Sequence, residues 1–179
     1  MDKKFFCQWL KGFEYGLNEI DADSRSCLLK HCARYCADTG VLQSYLKLYQ
    51  TVNGERNEFY SRLSETGNVR GEIVVPDKEY FIYFPECACD IHTAGGVNTP
   101  NLCECSRQSI IYVSESIWNE NKLYVEQVET ILSGDAECSI NLHYILHCHT
   151  RKFLFLPKLF MRRFCSSAPG KFQRQPGRQ

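Results

Sequence analysis

Two short cysteine pairs, Cys87-Ala-Cys89 and Cys103-Glu-Cys105, carry the sharpest chemistry in this sequence. Each pair brings two soft ligands within one turn of chain, and 13 residues of Gly- and Pro-containing loop lie between the pairs. Four thiolates satisfy tetrahedral zinc or an iron–sulfur cluster, because soft sulfur suits both. The single-residue gap within each pair is shorter than the gap of about two to four usual in zinc ligand pairs. His92, in the loop between them, is a substitute ligand. Two other readings stand beside the metal. Free cysteine is among the most buried residue types, so the pairs can be small core residues at strand ends. Alternatively, one thiol is a nucleophile, which requires a histidine within reach.

A second group, Cys27, His31, Cys32 and Cys36, falls on one predicted helix. At about 100° per residue, Cys27 and His31 share one face, and Cys32 and Cys36 share another about 140° away. An unbroken helix cannot turn all four onto one ion. Cys32 and Cys36 either belong to a packed face or lend ligands to the loop site. Cys138 is the third position. On the last predicted strand it shares the apolar side with Ile140, Leu142, Tyr144 and Leu146, toward the core or a pocket in it. The opposite side carries His143, His147 and His149, either a metal-binding cluster or solvated residues at a strand end. Cys138 and His143 are the candidate catalytic pair. No Gly-rich phosphate loop, Gly-x-Ser-x-Gly elbow or His-Glu-x-x-His helix occurs.

The elements that must position these residues change character along the chain. Phe5, Phe6, Trp9, Leu10, Phe13 and Leu17 recur at helical spacing and make one apolar stripe. A second helix is predicted over Arg25 to Asp38, with Asp23 or Ser24 as its N-cap and Gly40 past its end. A third covers Val41 to Val52, and a fourth Glu55 to Glu65. From Val69 the segments GEIVV and YFIYF, with Pro76-Asp77 between them, read as a hairpin. After the cysteine loop, a helix from Ser106 to Ser116 runs toward Trp118. LYVEQVETIL and ECSINLHYIL then form a hairpin closed by Ser133-Gly134-Asp135. The expected fold is α+β, with N-terminal helices packed on a four-stranded, mostly antiparallel sheet and one helix between two hairpins.

Composition sharpens this picture. The chain has 179 residues, 44% hydrophobic and 13% aromatic, which excludes wholesale disorder and suits one domain. Its 21 basic and 21 acidic residues cancel only by coincidence. Eight basic residues and no acidic one lie in 151–179, which leaves the first 150 residues at a net charge of −8. Lys11 and Glu14 interrupt any signal-peptide core at the N-terminus. Eleven cysteines in a cytoplasmic chain are expected to stay reduced and to serve as ligands or reactive groups before they serve as disulfides.

Within residues 69–145, FPECACD, LCECS and YVEQVETILSGDAECSINL resemble an uncharacterised, cysteine-rich bacterial family. That family is related to the 4-vinyl reductase domains and to L-2-amino-thiazoline-4-carboxylic acid hydrolase-like proteins. The matching positions are Cys87, Cys89, Cys103, Cys105, Glu129, Ile131, Leu132, Gly134, Asp135 and Cys138. RSCLLKHCARYC also resembles the family's N-terminal helical cysteines, at Cys27, Cys32 and Cys36. The resemblance implies an α+β fold with a small-ligand pocket between helices and sheet.

The end of the chain departs from that pattern, for the domain is expected to close near residue 148. LFLPKLFMRRF reads as a basic amphipathic stretch suited to anionic lipid or an acidic partner. SSAPGKFQRQPGRQ has the composition of disorder and would attract polyanions without specific recognition of nucleic acid. A shifted reading frame or run-on translation would produce the same abrupt loss of acidic residues. The leading expectation is therefore a domain that binds zinc, an iron–sulfur cluster or a small ligand through Cys87, Cys89, Cys103 and Cys105, in a sensory role. One alternative is a thiol-dependent hydrolase of a small cyclic amide or thiazoline. The other is a structural or interaction domain with core cysteines.

Overall fold

A computed structural model of the chain describes residues 2–118 and 123–145. The chain divides into two units, Met1–His147 and Cys148–Gln179, and every described residue lies in the first. His147, His149 and the basic tail lie outside the described residues.

Six helices and four strands follow in the order α1 (Lys3–Glu19), α2 (Ala22–Thr39), α3 (Leu42–Thr51), α4 (Arg56–Ser61), β1 (Arg70–Val75), β2 (Glu79–Phe84), α5 (Asp90–Thr93), α6 (Glu104–Trp118), β3 (Leu123–Glu129) and β4 (Cys138–Tyr144). The architecture is α+β, as the residue pattern predicts. The sheet is wholly antiparallel, ordered β1-β2-β4-β3, so the second strand of each hairpin lies in the middle. Among the described residues, no helix is long and apolar enough to cross a membrane.

Short polar residues set the helix starts. Asp2 accepts from the Lys4 amide and Asp21 from the Ser24 amide, each satisfying a first-turn N–H with no helical partner. Asp21, not Asp23 or Ser24, is thus the cap of α2. Only part of the α1 stripe packs inward. Leu10 and Leu17 are buried, whereas Phe5 and Trp9 remain more than half exposed. The segment predicted as one fourth helix is α4 followed by a separate 3₁₀ turn, Leu63–Thr66. The β1–β2 turn does pass through Pro76-Asp77, with Asp77 in the left-handed region at φ 63°.

The second hairpin differs from its prediction. β3 stops at Glu129 and β4 begins at Cys138, so residues 130–137 connect them, including a 3₁₀ turn at Ile131–Ser133. The compact turn at Ser133-Gly134-Asp135 gives way to a larger loop because Thr130 caps that 3₁₀ turn. Its Oγ1 accepts from the Ser133 amide, while Asp135 accepts from the Thr130 amide.

The main core lies between one face of the sheet and α3, α4 and α6, where Tyr60, Tyr80, Ile82, Ile140, Leu142 and Tyr144 are almost fully enclosed. A smaller apolar cluster joins Leu10 and Leu17 of α1, Leu29 of α2, Val97 and Leu102. Cys89, Cys105 and Leu132 pack against that second cluster.

Candidate functional site

The end of the sheet where β2 finishes gathers the cysteines. Phe84, the last residue of β2, pairs with Cys138, the first of β4. The three residues after Phe84 therefore carry Cys87 over the strand end where Cys138 begins. Cys89 precedes α5, and a 3₁₀ turn at Pro100–Cys103 leads directly into α6, which Cys105 enters in its first turn. Thr99 starts that 3₁₀ turn by accepting from the Asn101 amide, and Pro100 fixes its first residue.

Cys138 faces the core with Ile140, Leu142 and Tyr144, as strand alternation predicts. Its sulfur accepts from the Ile131 amide at 3.4 Å. Cys103 is buried too. Burial pushes its thiol from 9.0 up to about 12, against a hydrogen bond with Thr130 and together with the charges of Cys138, Cys87 and Cys89. Burial likewise raises Cys105 to about 12, and there the charges of Cys36, Cys89 and Cys32 add to it. Cys89 and Cys138 are also raised, first by burial and then by neighbouring thiols, Cys87 acting on both. Seven cysteines, Cys32, Cys36, Cys87, Cys89, Cys103, Cys105 and Cys138, thus form one continuous neighbourhood of free thiols.

Helix α2 contributes its two cysteines in an unexpected manner. Its packed line is Leu29, Ala33 and Ala37, whereas Cys32 and Cys36 are exposed beside it. The packed-face reading of Cys32 and Cys36 therefore fails. The alanines allow α6 to approach closely, and polar contacts flank the seam. Gln108 donates to Ser26 at 2.8 Å, and Tyr112 donates to Asp38 at 2.6 Å. His31 is exposed, and Cys27 is half-buried.

His143 does not join this neighbourhood as a catalytic base must. His143 is five residues beyond Cys138 on the same strand, which places it on the opposite face and about 16 Å along the strand. It pairs across the sheet with Glu79. The Nδ1 of His92 meets the Val97 carbonyl oxygen at 2.9 Å, which ties the ring to its own loop.

The donor set suits a soft cation better. A bound divalent ion reverses the repulsion among thiolates and removes their protons outright. Among the described residues, no group of three or more His, Cys, Asp or Glu side chains is placed so that it could hold a metal ion. Ligation here requires rotation of thiol side chains toward one another. A separate recess of about 360 Å³ opens between the start of α2 and the start of α6, lined by polar residues including Asp23, Arg25, Glu104, Arg107 and Gln127. Its charges are already engaged, since Arg107 grips Glu104 through two bonds of 2.7 Å. Cys138 is not among its lining residues.

Neither a family model nor a curated protein matches the chain. The resemblance to the 4-vinyl reductase relatives rests on the quoted motifs alone.

Proposed function

We propose that this protein is a soft-metal-binding domain whose thiolates, centred on Cys87, Cys89, Cys103 and Cys105, hold zinc or an iron–sulfur centre in a reducing compartment. The observation that carries this reading is the convergence of free thiols from four separate parts of the chain on one end of the sheet. Cys36, Cys89 and Cys105, from three separate parts of the chain, are electrostatic neighbours of one another, and Cys87, Cys103 and Cys138 are likewise. Ligand binding ties α2, the loop before α5, α6 and the sheet together, so metal occupancy is coupled to the packing of the helices, as a sensor requires. The hydrolase reading is less favoured, because His143 lies on the strand face opposite Cys138 and about 16 Å along the strand.

Elemental analysis of protein purified anaerobically without chelator tests the proposal. Zinc or iron at one or more atoms per chain is expected, with at least a several-fold loss in a Cys103→Ser, Cys105→Ser double variant. Substoichiometric zinc and iron, unchanged by the double substitution, would overturn it.

A further inference from the structure

We infer that the outward face of α1 is a self-association surface. A second copy of this chain packs its own α1 against it in antiparallel fashion, with Phe5 and Trp9 of each copy seated over Gly12 and Gly16 of the other.

The face is apolar and turned away from the body of the chain. Leu10 and Leu17 seat α1 on the second apolar cluster. The Asn18 side chain accepts from Thr99 at 2.6 Å and from Asn101 at 2.8 Å, which fixes the rotation of the helix. At about 100° per residue, Phe5, Trp9, Gly12 and Gly16 then share an arc of about 60°, turned about 120° from the two leucines. Phe5 is 57% exposed and Trp9 60%. The indole is nonetheless held in place, since it lies nearly parallel to the Phe13 ring with 6.3 Å between centroids.

Shape along this face is complementary to itself. The bulky side chains occupy its first half and the gaps its second. A Cβ at Gly12 or Gly16 would meet nothing within 4 Å. Glycine weakens a helix interior, and no close approach among the described residues calls for it at these two positions. Antiparallel pairing about the point between Lys11 and Gly12 lays the aromatics of each copy over the glycines of the other, so ridges enter grooves at both ends. Parallel pairing would set ring on ring and gap on gap.

Charge selects the same pairing. Beyond its cap Asp2, α1 has no acidic residue in its first turn and no basic residue in its last. Lys3 and Lys4 stand at the N-terminal end and Glu19 at the C-terminal end, the reverse of what the dipole of the helix favours. Lys4 and Glu19 lie on one flank of the apolar face, within about 60° of each other. The antiparallel register sets Lys4 of each copy beside Glu19 of the other, at both ends of the contact. A two-fold contact requires such self-complementarity, and a lipid surface does not. The contact is one helix long, about 25 Å, which places it at the small end of specific interfaces and suits a reversible dimer.

Sedimentation velocity of the full-length protein, with reductant present so that Cys7 cannot cross-link two copies, tests the pairing. A monomer–dimer equilibrium in the micromolar range is expected. Trp9→Ala should weaken the dimer at least tenfold. Gly12→Leu with Gly16→Leu should also weaken it at least tenfold, although leucine adds apolar surface and favours helix, because it fills the seats of the aromatic rings. Lys4→Glu and Glu19→Lys each suit the helix dipole, so the folded monomer is not harmed, and circular dichroism checks its helix content. Each alone sets like charges together at both ends and weakens the dimer. Mixing the two variants restores it, since each end of the mixed dimer again pairs opposite charges. A chain that stays monomeric at every concentration overturns the inference, whether or not it binds vesicles of anionic lipid. A dimer strengthened by the two leucines, or one that mixing fails to restore, overturns it as well.

Discussion

Two regions of this small molecule achieve order by opposite means. In the aromatic core, Tyr60 stacks on Tyr80 at 4.1 Å between centroids, and Phe59 meets Trp118 edge-on at 5.0 Å. The tyrosine hydroxyls there have partners. Tyr60 and Tyr144 share a hydrogen bond of 2.8 Å, and Tyr80 donates to Asn57 at 2.7 Å. At the thiol end, weakly hydrogen-bonding groups lie among apolar side chains and near one another, and ionising them adds repulsion. The aromatic region is stable through its own contacts, whereas under the proposed function the thiol region gains stability from a bound metal. Metal should therefore affect one region strongly and the other barely.

The largest expected effect breaks the self-sufficient half. Phe59→Ala leaves a cavity among Tyr45, Tyr60 and Trp118 and should cost about 3–5 kcal/mol in urea unfolding. The cost should be the same with zinc or with chelator present, within about 0.5 kcal/mol, because the site lies away from the thiols. A cost that shrinks markedly when metal is removed would show that the two regions are not independent.

Zinc itself should have the next effect. At a free concentration 100-fold above its dissociation constant, a single ion raises stability by about 2.7 kcal/mol. The Cys103→Ser, Cys105→Ser variant should show almost none of that gain in the same urea experiment. An undiminished gain in the variant would place the binding elsewhere.

Two close backbone approaches probe the same contrast. A Cβ at Gly71 would stand 2.2 Å from the Tyr60 carbonyl oxygen, where α4 crosses β1 and nothing flexible can yield. A Cβ at Gly95 would meet the Ile91 carbonyl oxygen at 2.6 Å and the end of the Leu10 side chain, within the loop between the cysteine pairs. Gly71→Ala should destabilise the whole fold by about 1–3 kcal/mol. Gly95→Ala should act mainly on the loop, weakening zinc affinity more than it lowers the melting temperature of the metal-free protein. The reverse ranking would mean that the loop is part of the rigid core.

Much of this arrangement was legible in the residues. The four strands, the inward face of Cys138 and the helix that carries Cys32 and Cys36 follow from periodicity. The single residue between Cys103 and Cys105 directs the two side chains apart on a helix, which is unusual for a zinc pair. What the residues do not display is tertiary. The approach of α2 to α6 depends on Ala33 and Ala37 making room, and the meeting of Cys87 with Cys138 depends on strand register. The eight-residue connection from β3 to β4 was hidden for a local reason. Thr130 and Asp135 form a capped 3₁₀ turn from residues that also suit the end of a strand and a tight turn.

The smallest effect is reserved for alkaline pH, and it isolates the aromatic half. Burial holds the Tyr45 hydroxyl neutral by raising it from 10.0 to about 12, against a weaker opposing hydrogen bond with Thr66. The unfolded chain begins to lose that proton near pH 10 while the folded one retains it, so the unfolded state binds fewer protons in this range. Stability from this group is complete below pH 10 and is lost as the pH rises toward about 12. At pH 11 the loss should be about 1 kcal/mol for Tyr45 alone. Thiols ionise over the same range, so the wild-type curve mixes both regions. Tyr45→Phe separates them, because it removes only the tyrosine contribution. The difference in unfolding free energy between the variant and the wild type should move in the variant's favour between pH 9 and pH 11, with chelator present in both. A difference that stays constant over that interval would mean that the Tyr45 hydroxyl titrates alike in the folded and unfolded chain, and that the aromatic core is more open to water than its packing indicates.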